Sequence, residues 1–353
     1  MKKINNNFWK NKKILITGHT GFKGRWLTII LKILGSKVFG ISLNEKNNFE
    51  KKEYINFLTK KNSFFLDIKK RKKVEKVILK INPEIIIHMA AQSKVIDGYH
   101  NPIETFETNI MGTINILNAS VKLKGLKAIL VVTTDKVYKN NEKKIKFSEN
   151  DKLGGDDPYS TSKASAEIIL DYYRKFNPKI KIISVRAGNI IGGGDFAKNR
   201  IIPDLVKAWK SKKKLIIRNP KSTRPWQYIL DVLISYMNII ELSCKKKKID
   251  LSFNIGPFLT NLSVIELVLK IKKHFNDLKL IIKKNNSILE KKYLNLDIKR
   301  SIKLLGLKNN INMNVRIEST ANLYKEILNS KNVNHMEQIY KKEIINFLSN
   351  THE

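Results

Sequence analysis

Near the start of the chain, Lys13-Ile14-Leu15-Ile16-Thr17 runs directly into Gly18-His19-Thr20-Gly21-Phe22-Lys23-Gly24-Arg25-Trp26. The apolar and β-branched residues 14–17 read as a short buried strand. From Trp26 to Leu34 apolar side chains recur at helical spacing, and the pattern stops at Gly35. Between strand and helix the glycines fall at 18, 21 and 24. Gly18 permits a tight turn, Gly21 lets backbone approach a pyrophosphate, and Gly24 lets the helix pack close to the sheet. The helix N-terminus then offers unpaired N–H groups and a partial positive charge to phosphates. A glycine triplet alone is weak, since a plain structural turn uses one too. The strand before it and the helix after it favour a dinucleotide site.

The alternation continues. Lys37–Leu43, Ser63–Ile68, Glu84–His88, Ala128–Thr133 and Ile180–Arg186 read as strands, with helices over Lys69–Lys80, within Asn101–Lys124 and over Tyr159–Phe176. Asn44–Lys61 is polar and reads as loop with some helix. This spacing specifies an α/β fold with a doubly wound parallel sheet. Past Arg186 the rhythm changes. Gly192-Gly193-Gly194-Asp195 reads as a loop, and Ile201–Lys210, Asp231–Cys244 and Ser263–Phe275 read as helices. Leu215–Arg218, Trp226–Ile229 and Leu251–Ile255 read as short strands. The expected organisation is a dinucleotide-binding part over residues 1–187 and a smaller α/β part over 188–353. The second part is interleaved with the first and carries most of the substrate side.

With 353 residues the chain can bury a large core. No apolar run reaches the length of a membrane span, and the basic N-terminus leads into no apolar signal core. The one cysteine, Cys244, builds neither a disulfide framework nor a thiolate metal cluster, so a reducing cytoplasm is expected. A net charge of +37 raises nucleic acid as a partner. Yet lysines are spread over nearly every segment from Lys2 to Lys342, and aromatics are not interleaved with the basic clusters as stacking platforms would be. Compositional bias accounts for that spread, and no specific nucleic-acid partner is expected; the positive field helps draw in an anionic substrate. The histidines, His19 and His88 among them, form no ligand-spaced set, and no metal is expected.

Tyr159-Ser160-Thr161-Ser162-Lys163 places a phenol and an ammonium one helical turn apart. An ammonium beside a phenol favours phenolate, so the tyrosine can act as a base near neutral pH. In a lysine-rich chain the pair alone means little, but its position adds weight. It follows Thr133-Thr134-Asp135-Lys136 at the end of the fifth strand, and ligands bind at the carboxyl ends of parallel strands. Further segments join the glycine loop, Thr134-Asp135-Lys136 and Tyr159–Lys163 in one pattern. They are His88-Met89-Ala90-Ala91-Gln92, the run from Arg186 through Asn189 to Asp195, Arg218-Asn219-Pro220 and Arg224-Pro225-Trp226-Gln227. The pattern resembles the extended short-chain dehydrogenase/reductase superfamily and, within it, the CDP-glucose 4,6-dehydratase family, from Phe8 to about Gly306.

The resemblance implies a Rossmann fold, NAD as cofactor, CDP-glucose as substrate, a homo-oligomer, and an internal redox cycle yielding a 4-keto-6-deoxy sugar. It implies that Tyr159 takes the proton of the 4-hydroxyl and that Lys163 lowers the tyrosine's pKa and holds the nicotinamide ribose. Thr134 would bond the 4-oxygen, Asp135 would protonate the departing 6-hydroxyl, and Lys136 would take the C5 proton. A lysine acts as base only when its surroundings help it shed its proton. Related dehydratases for other nucleotide sugars carry Asp-Glu in place of Asp135-Lys136, so Lys136 points to the CDP branch. Around the cofactor the resemblance implies Gly18, Thr20, Gly21, Phe22, Lys23, Gly24, Asp67, Ile68, Ala90, Ala91, Gln92, Asn109, Thr133, Tyr159 and Lys163. Around the substrate it implies Gln92, Asn189, Arg200, Arg218, Arg224 and Asn254. The three arginines stand out in a chain that prefers lysine, and guanidinium matches phosphate bidentately.

Three departures stand out. Asn44, followed by Glu45, replaces the family's usual Asp at the adenosine ribose, which leaves NAD against NADP open. Arg25 stands where Ser is usual, and Lys94–Gly98 departs from the family's loop. Another nucleotide-sugar 4,6-dehydratase or 4-epimerase is the alternative that Lys136 argues against. A catalytically idle NAD-binding scaffold is a further one, against which the intact Thr134, Tyr159 and Lys163 speak.

Overall fold

The computed structural model describes residues 4–44, 52, 54–141, 145–258, 262–283, 293–307 and 312–350. The first half runs α1 (Asn6–Trp9), β1 (Lys13–Thr17), α2 (Phe22–Ile33), β2 (Lys37–Ser42), β3 (Ser63–Phe65), α3 (Arg71–Ile81) and β4 (Ile85–His88). Next come α4 (Val95–His100), α5 (Pro102–Phe106) and α6 (Gly112–Ser120), the last two joined through one π turn at Glu107–Met111. Then come β5 (Ala128–Val132), a 3-10 turn at Asp135–Val137, α7 (Pro158–Phe176) and β6 (Lys181–Ala187). The second half holds β7 (Ile190–Ile191), α8 (Ile201–Lys210), β8 (Leu215–Ile217), β9 (Gln227–Tyr228), α9 (Ile229–Lys245) and β10 (Ser252–Ile255). It ends with α10 (Val264–Lys272), β11 (Leu280–Ile282), α11 (Lys299–Leu305), α12 (Met313–Leu328) and α13 (Val333–Asn350).

Seven strands form one parallel sheet in the order β10-β6-β5-β4-β1-β2-β3. β4 and β5 are buried along their whole length, as apolar central strands of such a sheet must be. Trp26 of α2, Tyr236 of α9 and Tyr340 of α13 cover one face; Val74 of α3, Ile116 of α6 and Leu170 of α7 cover the other. A separate cluster gathers Leu205 of α8, Leu267 of α10 and Tyr324 of α12.

Two features differ from the sequence reading. Leu251–Ile255 was expected in the smaller part, but β10 pairs with β6 at the edge of the main sheet, Asn254 lying beside Arg186. Its buried Phe253 and Ile255 extend the core of that sheet. The helices α11, α12 and α13 were not anticipated, and α13 lies on α2 with the Trp26 and Tyr340 rings 4.4 Å apart. Of the expected Asn44–Lys61 loop, residues 45–51 and 53, Glu45 included, lie outside the described residues. Among the described residues no helix is long and apolar enough to cross a membrane.

Candidate active site

The glycine loop is shaped by close approach. Gly18 has φ +78°, and a Cβ on it would come within 3.0 Å of the Ala90 nitrogen. A Cβ on Gly24 would lie 2.1 Å from the Gly18 carbonyl oxygen, so only glycine lets α2 start directly over β1. Gly21 is the N-cap residue of α2 and supplies no side-chain cap, which leaves the first-turn N–H groups around Phe22 and Lys23 to an outside anion. These features fit a dinucleotide's diphosphate. Thr17 Oγ1 accepts from the Met89 and Ala90 N–H groups, each at 3.1 Å, and meets His88 Nδ1 at 2.7 Å, tying the ends of β1 and β4 together. The Thr20 N–H donates to Ser42 Oγ at 3.3 Å.

Other residues implied at the cofactor use their polar atoms within the protein. Asn109 accepts from the Gln92 N–H and donates to its carbonyl, both at 2.9 Å, and also donates to Ser162. The Gln92 amide is taken up by Lys94 and Thr105, so both side chains shape the loop after β4 that carries Ala90 and Ala91. Asp67 accepts from the Lys69 N–H at 2.8 Å, and Ile68 is buried where a Cβ on Gly112 would fall. His19 and His88 are buried between hydroxyls, and desolvation brings them down to about 4 and about 3, so both stay neutral. Among the described residues no group of three His, Cys, Asp or Glu is placed to hold a metal ion.

Past the end of β5 the chain turns inward. Thr134 caps the 3-10 turn, donates to Asp135 Oδ1 at 3.1 Å, and stands beside the Tyr159 hydroxyl. Asp135 is buried, and its Oδ2 has no partner. Desolvation raises its pKa, against Lys136, Thr134 and the nearby Arg224 guanidinium, so the carboxyl keeps its proton more readily than an exposed one. Lys136 stands half-buried on the same turn.

The coupling within the tyrosine–lysine pair is not the one expected. Burial pushes Tyr159 up to about 12; the opposing influences are Thr134 and the Arg200 guanidinium, while Asp135 and Asp157 add to the rise. Lys163 instead donates to the Val132 carbonyl at 3.1 Å, and desolvation lowers it to about 8 against the pull of Glu167. A buried ammonium needs an acceptor, and the β5 carbonyl provides one. Lys23, expected only at the cofactor, also lies among these charges. Burial, Lys163 and Arg200 bring it to about 7, with Asp195 and Asp135 opposing.

Of the residues expected at the substrate, Arg200 donates to Asp195 Oδ2 at 2.8 Å and to Ser93 at 3.2 Å. Arg224 is buried near Asp135 and donates to the Thr223 carbonyl at 2.8 Å. Asn189 is half-buried, and its carbonyl receives the Gln227 N–H at 2.9 Å. Arg218 is exposed just past β8. Asn254, expected at the substrate, is wholly buried: it accepts from the Tyr138 hydroxyl and donates to the Phe147 and Asp297 carbonyls at 2.8 and 3.0 Å.

Residues 14–256 match the model of the NAD dependent epimerase/dehydratase family. The chain belongs to that family. Its cofactor is NAD. Over 314 residues the chain is 37% identical to the CDP-glucose 4,6-dehydratase of Salmonella typhimurium, covering 86% of this chain and 88% of that protein. It is 32% identical to the dTDP-D-glucose 4,6-dehydratase of Dictyostelium discoideum, over 74% of this chain and 62% of that one. The UDP-glucose 4-epimerase of Thermotoga maritima shares the fold, with a TM-score of 0.77 at 22% identity, covering 89% of this chain and 99% of that one.

In this epimerase/dehydratase family member, two acids that the sequence reading did not assign hold the site together. Glu167 accepts from Thr133 Oγ1 at 2.6 Å, Ser184 Oγ at 2.8 Å and Arg186 Nη2 at 2.9 Å, so the Thr133 hydroxyl is engaged by α7. Asp195 holds Arg200. Each carried a signal: Glu167 falls one helical turn beyond Lys163, and Asp195 is the acid that closes a triple-glycine run.

Proposed function

We propose that this protein is a CDP-glucose 4,6-dehydratase, converting CDP-D-glucose to CDP-4-dehydro-6-deoxy-D-glucose and water. The observation that carries the reading is the turn Thr134-Asp135-Lys136 beside Tyr159, with a buried Asp135 carboxyl whose Oδ2 has no partner. Such a group is suited to deliver a proton to an oxygen that arrives only with substrate. The 37% identity to a CDP-glucose 4,6-dehydratase and the presence of Lys136 support CDP-glucose over other nucleotide sugars.

Bound NAD⁺ supplies a hydride acceptor and, later in the same turnover, a hydride donor. Gly18, Gly21 and Gly24 would cradle its diphosphate, and Lys163 would hold its nicotinamide ribose. Tyr159 removes the proton of the 4-hydroxyl while Thr134 orients the 4-oxygen, and Arg200 favours the phenolate. With a ketone at C4, the C5 proton becomes acidic. Lys136 takes that proton, and Asp135 gives its own to the departing 6-hydroxyl, which leaves as water; the proton held by Lys136 returns to C5 when the 5,6-double bond is reduced at C6. Arg200 and Arg224, with Arg218 and Asn189 on the same part of the chain, serve the sugar nucleotide. Residues 1–187 then carry the cofactor and 188–353 most of the substrate contacts.

A second copy of the chain is the proposed protein partner. Ile168, Tyr172 and Phe176 form an exposed stripe at i, i+4 and i+8 on α7, and Ile103 of α5 and Met111 of the π turn, two elements packed against α7, are exposed as well. A reducing cytoplasm suits the lone Cys244. The functional test is a panel of CDP-, dTDP-, UDP- and GDP-glucose assayed for a 4-keto product. CDP-glucose should be turned over with a kcat/KM at least about tenfold above the others, in line with a cost of about 1.4 kcal/mol per missing recognition contact. Preference for another donor, or no 4-keto product from any, overturns the reading.

A further inference from the structure

Arg25 lies in the first two turns of α2 and is 2% exposed, at a place where the family resemblance expects a serine. Its Nη1 donates to the Lys52 carbonyl at 2.9 Å, its Nη2 donates to the Gly194 carbonyl, and its Nε has no partner. The next residue, Trp26, donates from Nε1 to the Gly193 carbonyl at 3.0 Å. Two consecutive residues of the cofactor helix thus grip two consecutive carbonyls of the triple-glycine loop. Gly194 has φ +88°, and a Cβ on it would fall 1.9 Å from the Tyr340 hydroxyl, so the loop is pressed between α2 and α13.

The loop leads directly to the reaction centre. The Asp195 carbonyl accepts from the Tyr324 hydroxyl at 2.7 Å, and its carboxylate accepts from the Ala197 N–H at 3.1 Å and from Arg200 at 2.8 Å. Arg200 in turn favours the Tyr159 phenolate against burial. Among the groups facing Tyr159 are Thr134 and Asp135 from the turn after β5, Asp157 from its own helix cap, Tyr236 from α9, and Arg200 from the start of α8, with Lys163 one turn along α7 and Lys23 of α2 among the same charges. Arg200 is the cation on the loop side, and Asp195, with Ser93, holds it in place.

Burying a guanidinium against carbonyls alone is a costly way to close a loop. What it provides is a rigid fork with fixed directions. We propose that Arg25 is a positioning residue: by holding the Gly194 carbonyl to the base of the cofactor helix, it fixes Asp195 and, through it, Arg200 against Tyr159. The cofactor loop and the electrostatic partner of the catalytic base then move as one piece. A serine at position 25 is too short to make this bond. The inference rests on the proposed role of Tyr159 as base.

The test compares Arg25→Ser, Arg25→Lys and Tyr324→Phe with wild type, as the full chain with NAD⁺ and CDP-glucose, in the pH dependence of kcat. Tyr324→Phe keeps the ring and deletes only the bond to the same loop. In Arg25→Ser the limb set by Tyr159 should move to higher pH by about one unit, because a cation has left the phenolate; kcat at neutral pH should fall about tenfold with less change in KM. Arg25→Lys should recover part of the loss, and Tyr324→Phe should move the limb the same way by less. A limb that stays put in Arg25→Ser and Tyr324→Phe while only the thermal midpoint drops makes Arg25 merely structural and overturns the inference. If Arg25→Ser does not fold, Tyr324→Phe and Arg25→Lys decide it on the same limb. Wild-type protein that forms no 4-keto product fails earlier, at the functional reading, and the inference falls with it.

Discussion

Glu167→Gln is the substitution whose cost the structure sets most directly. Glu167 is 1% exposed, and Arg186, its partner at 2.9 Å, is 4% exposed. Burial by itself would raise the Glu167 pKa, but Arg186, Thr133 and Ser184 together hold it below the usual carboxylate range. A glutamine can turn its oxygen toward Ser184 and Arg186 and its NH₂ toward Thr133, whose hydroxyl can accept. Most hydrogen bonds therefore survive, and the loss is the charge, which leaves Arg186 buried without its counter-ion. Removing one partner of such a pair costs about 3–5 kcal/mol, and the retained hydrogen bonds put this case near 3 kcal/mol. That is a large share of a typical folding stability of about 5–15 kcal/mol. A depressed folded-state pKa means the charged contribution is present above the unfolded value of about 4.3 and is lost as pH falls through the folded value. The deficit of Glu167→Gln should therefore be full at pH 7 and shrink in acid. Urea unfolding of both proteins across that range measures it. A deficit below about 1 kcal/mol at pH 7, or one that does not shrink in acid, refutes the reasoning.

Tyr159→Phe should block oxidation at C4 and leave the cofactor oxidised, whereas Lys136→Met should let the ketone form but slow exchange of the C5 proton with deuterated solvent by about two to four orders of magnitude. Normal C5 exchange in Lys136→Met would return that lysine to the surface charges. Changing Tyr172 and Phe176 together to Glu should shift the protein toward monomer in sedimentation with its helical content kept; an unchanged mass would remove the α7 stripe as the contact between copies.

The parts of this molecule that could be read from sequence are those whose structure is local. The β1–glycine loop–α2 unit, the apolar β4 and β5, and Tyr159 with Lys163 on α7 all follow from spacing within a few residues. What could not be read depends on contacts between distant segments. The proton affinity of Tyr159 is set first by its burial, with Thr134 and Arg200 opposing the rise, while Lys163 one turn away gives its hydrogen bond to a β5 carbonyl. Asn254 looked like a ligand-facing amide at a strand end, yet its strand pairs with β6 and its amide closes a buried network with Tyr138. Arg25 read as a departure from a pattern; its reach to Gly194 joins residues 169 positions apart, which no local pattern shows.

Deuterium placed at C4 of CDP-glucose gives the most direct test of the central claim, an internal redox cycle on one retained cofactor. Turnover with unlabelled NAD⁺ should yield product with one deuterium in its C6 methyl group and no accumulating NADH absorbance. Deuterium collecting in NADH, or a C6 methyl whose new hydrogen comes from solvent, would contradict it.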